Sequence, residues 1–327
     1  MATVSDTASV PSLQGSRRLR DRIGDRLLFL VTLLASLLAM GLIVLIAWKI
    51  VQSAHLALSK FGVSFLWGTT WDVNKEIFGA LPGLFGTFVT CTIAMLIAAP
   101  LGLAIALFLS ELAPKSVQVI VGSLVETLAA IPSVVLGLWG ILVLGPFVAN
   151  HGVDWLNRWF GFIPFFHTTV GQNGASSLFV AGLILAIMVV PIVASICREL
   201  FLSVPPELEE GALALGATRW EMMRGVILSS SRPGIAAALI LGLGRALGEA
   251  IAVAQVVGAG WSIQWSLFNV GDTLASRIVS QYQGAVTNLQ IASLFYLAAI
   301  LLVIGLITNL IAQIIVRRFH VHGAQAR

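Results

Sequence analysis

Apolar runs long enough to cross a bilayer alternate with short polar segments from residue 27 to residue 316. A spanning helix needs roughly 20 predominantly apolar residues. Six stretches qualify: Leu27–Trp48, Ile77–Ser110, Val117–Leu144, Ser177–Ile196, Gly234–Ala259 and Leu289–Val316. The pattern predicts an all-α, polytopic membrane helical bundle of about six transmembrane helices. Pro82 and Pro100 mark start or kink points in the second run, because proline lacks the N–H that a helix interior needs. The aromatic stretch Gly145–Ala175 carries Trp155, Trp159 and Phe160 beside Asp154 and Arg158. It predicts a short helix lying in the membrane interface.

The polar segments set the expected orientation. Residues 1–26 are polar, end in Arg17, Arg18, Arg20, Arg22 and Arg26, and read as a flexible basic cytosolic tail. With that lead-in and no clear small-residue cleavage site, the first apolar run reads as an uncleaved anchor. With the N-terminus inside, thirteen Lys and Arg residues fall on the inner side, five on the outer side and one, Arg245, within a span. That excess favours both termini in the cytosol. The expected organisation is a tail (1–26), a first transmembrane helix with an outer segment (27–76), a membrane core (77–317) containing a cytosolic loop at 205–225, and a second cytosolic tail (318–327).

Composition removes other classes. The chain is 58% hydrophobic and 10% charged, whereas a soluble domain carries about 25% charged residues. The net charge of +4 sits at the ends of apolar segments, which is a topological use and no sign of a nucleic-acid partner. Cys91 and Cys197 lie in apolar runs without a CxxC or Cys/His cluster, so no metal site is expected. His55, His151 and His167 are scattered among aromatics and read as surface or interfacial packing. None of the four lysines (Lys49, Lys60, Lys75, Lys115) follows the glycine pattern of a phosphate-cradling loop. No G-x-S-x-G or H-E-x-x-H motif is present either. No catalytic residue is expected, and the chain reads as a pore subunit, not an enzyme.

Two segments carry candidate function. The first is Pro205-Pro206-Glu207-Leu208-Glu209-Glu210-Gly211-Ala212-Leu213-Ala214-Leu215-Gly216-Ala217-Thr218-Arg219-Trp220-Glu221. The prolines suit a helix start, and acidic residues in the first turn suit the helix dipole. Gly216 ends or kinks that helix, and Thr218 with Glu221 forms a capping box for a second. The segment predicts two short helices with a turn between them, either a rigid knob or a merely connecting loop.

The second is Gly242-Leu243-Gly244-Arg245-Ala246-Leu247-Gly248-Glu249-Ala250. Arg245 lies ten residues beyond Ile235, about 15 Å along a helix and near the middle of a core roughly 30 Å thick. A charge at that depth costs about 2.5–3.5 kcal/mol on insertion scales, so it must face protein or water. Glu249 follows at i+4 on the same face. The pair reads either as a buried ion pair locking the bundle or as a site where the guanidinium meets an anionic substrate, with Glu249 holding it or competing for it. The glycines are expected to permit close helix packing. Glu126, also in a span, reads equally as pathway-lining or as a helix-terminal charge.

The spacing Glu210-Gly211-Ala212, three residues, then Gly216 resembles the E-A-A-x-x-x-G core of the coupling loop in binding-protein-dependent ABC importer permeases. Gly211 stands where that family has its first alanine, and Ser229 where it usually has proline. The resemblance spans about residues 78–316. It implies that Glu210, Gly211, Ala212 and Gly216 dock into a groove on an ATPase. Within that family, Gly244–Val253, Glu126–Gly140 and Ser266–Leu274 resemble the phosphate-specific PstC branch. That resemblance implies an inner-membrane permease of a bacterial phosphate importer, with Arg245, Glu249 and Glu126 on the substrate pathway. It further implies a PstA-like second permease, a pair of ATPase subunits holding ATP and Mg, and an external phosphate-binding protein. No cofactor is expected in this chain. The alternatives are a permease for molybdate, sulfate or phosphonate, a secondary transporter without an ATPase, or a membrane scaffold.

Overall fold

The computed structural model describes residues 17–167 and 174–324, with side chains for 24–167 and 174–314. The chain divides into two compact units. The first, Met1–Lys49, consists in its described part of the leading portion of helix α1 (Arg17–Phe61). Its apolar side chains, among them Leu27, Leu34, Ile43 and Trp48, are exposed, as befits a helix whose solvent is lipid. Residues 17–26, expected within a flexible tail, are helical instead. Arginine and leucine favour helix, and extending a formed helix is far cheaper than nucleating one. Residues 1–16 of that tail lie outside the described residues.

The second unit, Ile50–Arg327, holds everything else. After α1 come a short hairpin, β1 (Trp71–Asp72) and β2 (Ile77–Phe78), and then α2 (Leu81–Leu112), α3 (Lys115–Ala130) and α4 (Ser133–Phe160). Next are α5 (Leu178–Leu202), α6 (Pro206–Ala214), α7 (Arg219–Ser230) and α8 (Arg232–Gly248). The chain closes with α9 (Ile251–Val256), α10 (Leu274–Tyr282) and α11 (Asn288–Ala324). Among the described residues, five helical segments are long and apolar enough to cross a membrane: Gly24–Leu66, Leu81–Leu112, Ser133–Phe160, Leu178–Leu202 and Asn288–Ile314. A sixth arises if α7 and α8, bent by 71° at Ser231, count as one broken span. The expected all-α membrane bundle is what forms.

Helix α5 is the central post. It runs parallel to α2, with Gly86 against Leu178, Gly182 against Ile93 and Gly102 against Val190 and Val193. A Cβ on Gly182 would lie 2.7 Å from the Ile93 Cβ, so the glycine sets how closely the two helices approach. Helix α8 runs antiparallel to α5, with Gly234 against Leu200 and Gly242 against Val189. The start of α8 and the end of α5 therefore share one end of the bundle with α6.

Several boundaries differ from expectation. The third run does not form one helix from Val117 to Leu144. It breaks after α3, where Ile131 is extended (ψ 127°) because the following Pro132 disfavours helical backbone there. The interfacial helix expected around Asp154 is the far end of α4, unbroken through Phe160. The fifth run stops at Gly248, and Glu249 is extended (ψ 113°). Helix α10 lies between the fifth and sixth apolar runs and is too short and polar to span. Helix α11 continues to Ala324, through most of the expected C-terminal tail, and residues 325–327 lie outside the described residues.

At the end of the bundle opposite α6, the hairpin, the start of α2 and α10 pack together. Thr273 caps α10 through a box with Ser276, and the Leu274 N–H donates to Thr87 Oγ1 of α2 at 3.0 Å. Asp272 and Arg277, both buried, form an ion pair with Arg277 Nε 2.8 Å from Asp272 Oδ2. The Ser276 hydroxyl donates to Asp272 Oδ1. The Arg277 guanidinium also lies 4.2 Å from the Trp261 ring centroid, a cation–π contact. Burial pushes the Asp272 carboxyl above its ordinary range, although Arg277, Ser276 and Thr273 pull it down. Burial likewise lowers Arg277.

Candidate functional site

The loop after α5 forms the knob its sequence predicts. Pro206 opens α6, no residue of which is buried. Its end is a Schellman motif: the Ala217 N–H reaches Ala212 O at 3.1 Å and the Gly216 N–H reaches Leu213 O at 3.0 Å. Gly216 takes φ +87°, a conformation glycine adopts without steric cost. The capping box is complete: Thr218 N–H donates to Glu221 Oε2 at 2.8 Å, and Glu221 N–H donates to Thr218 Oγ1 at 3.3 Å. The Thr218 N–H and, at 2.9 Å, the Thr218 hydroxyl both donate to Glu221 Oε2 and hold that carboxyl below its ordinary range. Glu209 is shifted upward, first by burial and then by the Glu111 and Glu210 carboxylates. Ala212 packs on the core that contains Phe201, Met222 and Met223. Leu208, Leu213, Leu215 and Trp220 stay exposed, Leu215 by 91%. The knob therefore presents large apolar side chains on its outer surface.

The second segment is built around a helix break. Arg245 lies in the last turn of α8 and Glu249 is its C-cap. The pair forms, with Arg245 Nη2 3.3 Å from Glu249 Oε2. It does so with Glu249 off the helix, so a shared helix face is not what joins them. The other carboxylate oxygen accepts the Ala252 N–H at 3.3 Å, at the start of α9. The Glu249 side chain is buried, while that of Arg245 is 49% exposed. The reading as a fully buried lock therefore fails for the arginine.

Arg245 faces a cavity of about 930 Å³ between α5, α8 and α11. Along α8 the lining runs from Gly248 back to Ala237, about 16 Å toward the α6 end. Gly244, Gly248 and Gly305 line it, and a Cβ on any of them would meet nothing within 4 Å. The expectation that these glycines serve close packing is correct for Gly242, which touches Val189, and wrong for Gly244 and Gly248. Three polar side chains of α11, Thr308, Asn309 and Gln313, line the same cavity. The sequence reading passed over them, although they recur on one face of an otherwise apolar run. Glu126 is exposed on α3 and is not part of this lining.

Comparison with known proteins agrees with this architecture. Residues 98–321 match the family model described as "Binding-protein-dependent transport system inner membrane component". Among curated relatives, the "Phosphate transport system permease protein PstC" of Xylella fastidiosa (Temecula1) is 38% identical, over 94% of this chain and 95% of its own length. The protein of the same name from Pasteurella multocida is 40% identical, over 80% and 81%. "Phosphate transport system permease protein PstC 1" of Mycobacterium tuberculosis is 42% identical, over 74% and 73%. Among solved structures, a chain of a bacterial ABC transporter involved in alginate import shares the fold, with a TM-score of 0.57 at 20% identity, over 90% of this chain and 98% of that one. The chain belongs to the binding-protein-dependent transport system inner membrane components.

Proposed function

We propose that this chain is the membrane-spanning permease subunit of an ATP-driven phosphate importer, and that it forms the translocation pathway with a second permease. The observation that carries the reading is Arg245, half-exposed in the wall of a cavity at the break between α8 and α9. A guanidinium offers phosphate oxygens a planar fork of donors. In a span its charge costs least where water or an anion reaches it. Glu249 orients the guanidinium from behind and returns to it as counter-ion when the anion leaves. The curated relatives are named for phosphate transport, which supports phosphate as the cargo.

In this reading α6 faces the cytosol and docks on a separate ATPase, through Glu210, Gly211, Ala212, Gly216 and the exposed leucines. ATP and Mg belong to that partner pair, and an external binding protein delivers phosphate from the other side of a bacterial inner membrane. Both termini are cytosolic. The lever is short: α6 joins α5 directly, and α7 meets α8 at the 71° bend. Motion of the knob therefore reaches Arg245 through one hinge. Glu126, exposed and outside the cavity, takes no part in this scheme.

The test is uptake of labelled phosphate by the reconstituted importer carrying Arg245→Gln. Loss of uptake with normal assembly is expected; uptake at the wild-type rate would remove Arg245 from the pathway. Competition by molybdate, sulfate and phosphonate against phosphate fixes the cargo.

A further inference from the structure

We propose that Thr308, Asn309 and Gln313 form an uncharged hydrogen-bonding track on α11, along which the anion moves from Arg245 toward the α6 end. The inference rests on the pathway reading above and names residues that reading does not contain.

Three observations carry it. All three side chains line the cavity that Arg245 faces. None makes a hydrogen bond to any described residue. An amide or hydroxyl left unpaired against hydrocarbon is costly, so a span keeps one only where water, substrate or another polar group meets it. Opposite them, Gly244 and Gly248 of α8, with Gly305 of α11 itself, leave the space open, since a Cβ on each would touch nothing within 4 Å. Between apolar stretches from Ile240, Leu241, Leu247 and Leu301, the groove thus offers bare backbone at these glycines and neutral donors on α11.

The chemistry suits passage rather than storage. Among the described residues, Arg245 is the lining's only charged group. From Asn309 to Gln313 is one helical turn, about 6 Å along α11. A neutral amide or hydroxyl donates to a phosphate oxygen without adding a second fixed cation. An ion leaving Arg245 is therefore solvated step by step and not trapped, as conduction requires at every site it visits. The competing occupant is a helix of the second permease hydrogen-bonded to the same three side chains.

The experiment uses the assembled importer in proteoliposomes with its binding protein. Asn309→Asp and Gln313→Glu keep size and add a negative charge; Asn309→Gln and Gln313→Asn keep the amide. Phosphate uptake should fall at least tenfold in the acidic variants and stay within about threefold of wild type in the amide variants, with the second permease retained in all. Cysteines placed at 309 and 313 should react with an anionic methanethiosulfonate faster than with a cationic one, a readout independent of the cargo. The preference should vanish when Arg245 is glutamine. Wild-type uptake in the acidic variants, loss of the second permease from the purified complex, or inert cysteines would each overturn the track. Normal uptake in Arg245→Gln would instead overturn the parent reading.

Discussion

Glu249 holds Arg245 with one carboxylate oxygen at 3.3 Å and accepts the Ala252 N–H with the other, also at 3.3 Å. One side chain thus ties the last turn of α8 to the first turn of α9 across a helix break. The two jobs separate by substitution. Glu249→Gln keeps an acceptor for Ala252 and loses the charge. With Arg245 half-exposed, the pair is worth about 1 kcal/mol, so uptake should change about fivefold. Glu249→Ala also removes the cap and should cost about 1 kcal/mol more in thermal stability. Equal unfolding temperatures for the two variants would show that the Ala252 bond contributes nothing.

Gly216 and Gly211 differ in backbone, not in space. Neither has a neighbour within 4 Å of a built Cβ, but Gly216 alone has positive φ. Gly216→Ala should strain the knob by about 1–2 kcal/mol and lower ATP-driven uptake. Gly211→Ala should be neutral or slightly helix-stabilising. The comparison is read as ATP hydrolysis stimulated by loaded binding protein, and an equal loss in both would refute the backbone argument.

The Asp272–Arg277 pair should be costly to halve and cheap to replace. Arg277→Leu strands a buried carboxylate, a loss of about 3–5 kcal/mol. Asp272→Asn together with Arg277→Met should recover much of it. Thermal unfolding of the detergent-solubilised protein checks this; a double variant no better than the single one would mean that the charges themselves, beyond their mutual compensation, hold α10 in place.

Gly86 lets the 272 backbone rest on α2: its Cβ would sit 2.0 Å from the Asp272 carbonyl oxygen. Gly86→Ala should cost about 1–3 kcal/mol, whereas Gly244→Ala, facing open space, should leave unfolding unchanged and obstruct the cavity. Equal stability of the two proteins would contradict the packing assigned here.

The Thr218–Glu221 box is pH-sensitive with a fixed sign. Folding depresses Glu221 below its ordinary range, so its contribution is complete above the unfolded value and is lost as pH falls through the folded one. Amide exchange at 219–222, corrected for intrinsic rates, should quicken on acidification through that window. Glu221→Gln should abolish the pH dependence, and an unchanged profile in that variant would place the titration elsewhere.

Local chemistry was legible without coordinates. Pro205, Gly216, Thr218 and Glu221 act through backbone geometry within a few residues of themselves, and the knob follows from them. The apolar runs yielded the bundle because a bilayer tolerates only spans that satisfy their own backbone. The helix break at Glu249 was not legible, since a continuous helix also places Arg245 and Glu249 together. The break after Ala130 was signalled by Pro132 and was masked by the apolar run around it.

By itself, the sequence determined the helical membrane class, the capped knob and the presence of a costly arginine within a span, because length, hydropathy and short-range caps depend on neighbours along the chain. Only the tertiary structure decided that Gly244 and Gly248 face open space while Gly242 packs on Val189. It also decided that Thr308, Asn309 and Gln313 share a cavity with Arg245, and that Asp272 and Arg277 are buried together. The physical reason is that a helix presents every side of itself in its sequence. Which side meets a neighbour, and which is left to water, depends on packing between segments far apart in the chain.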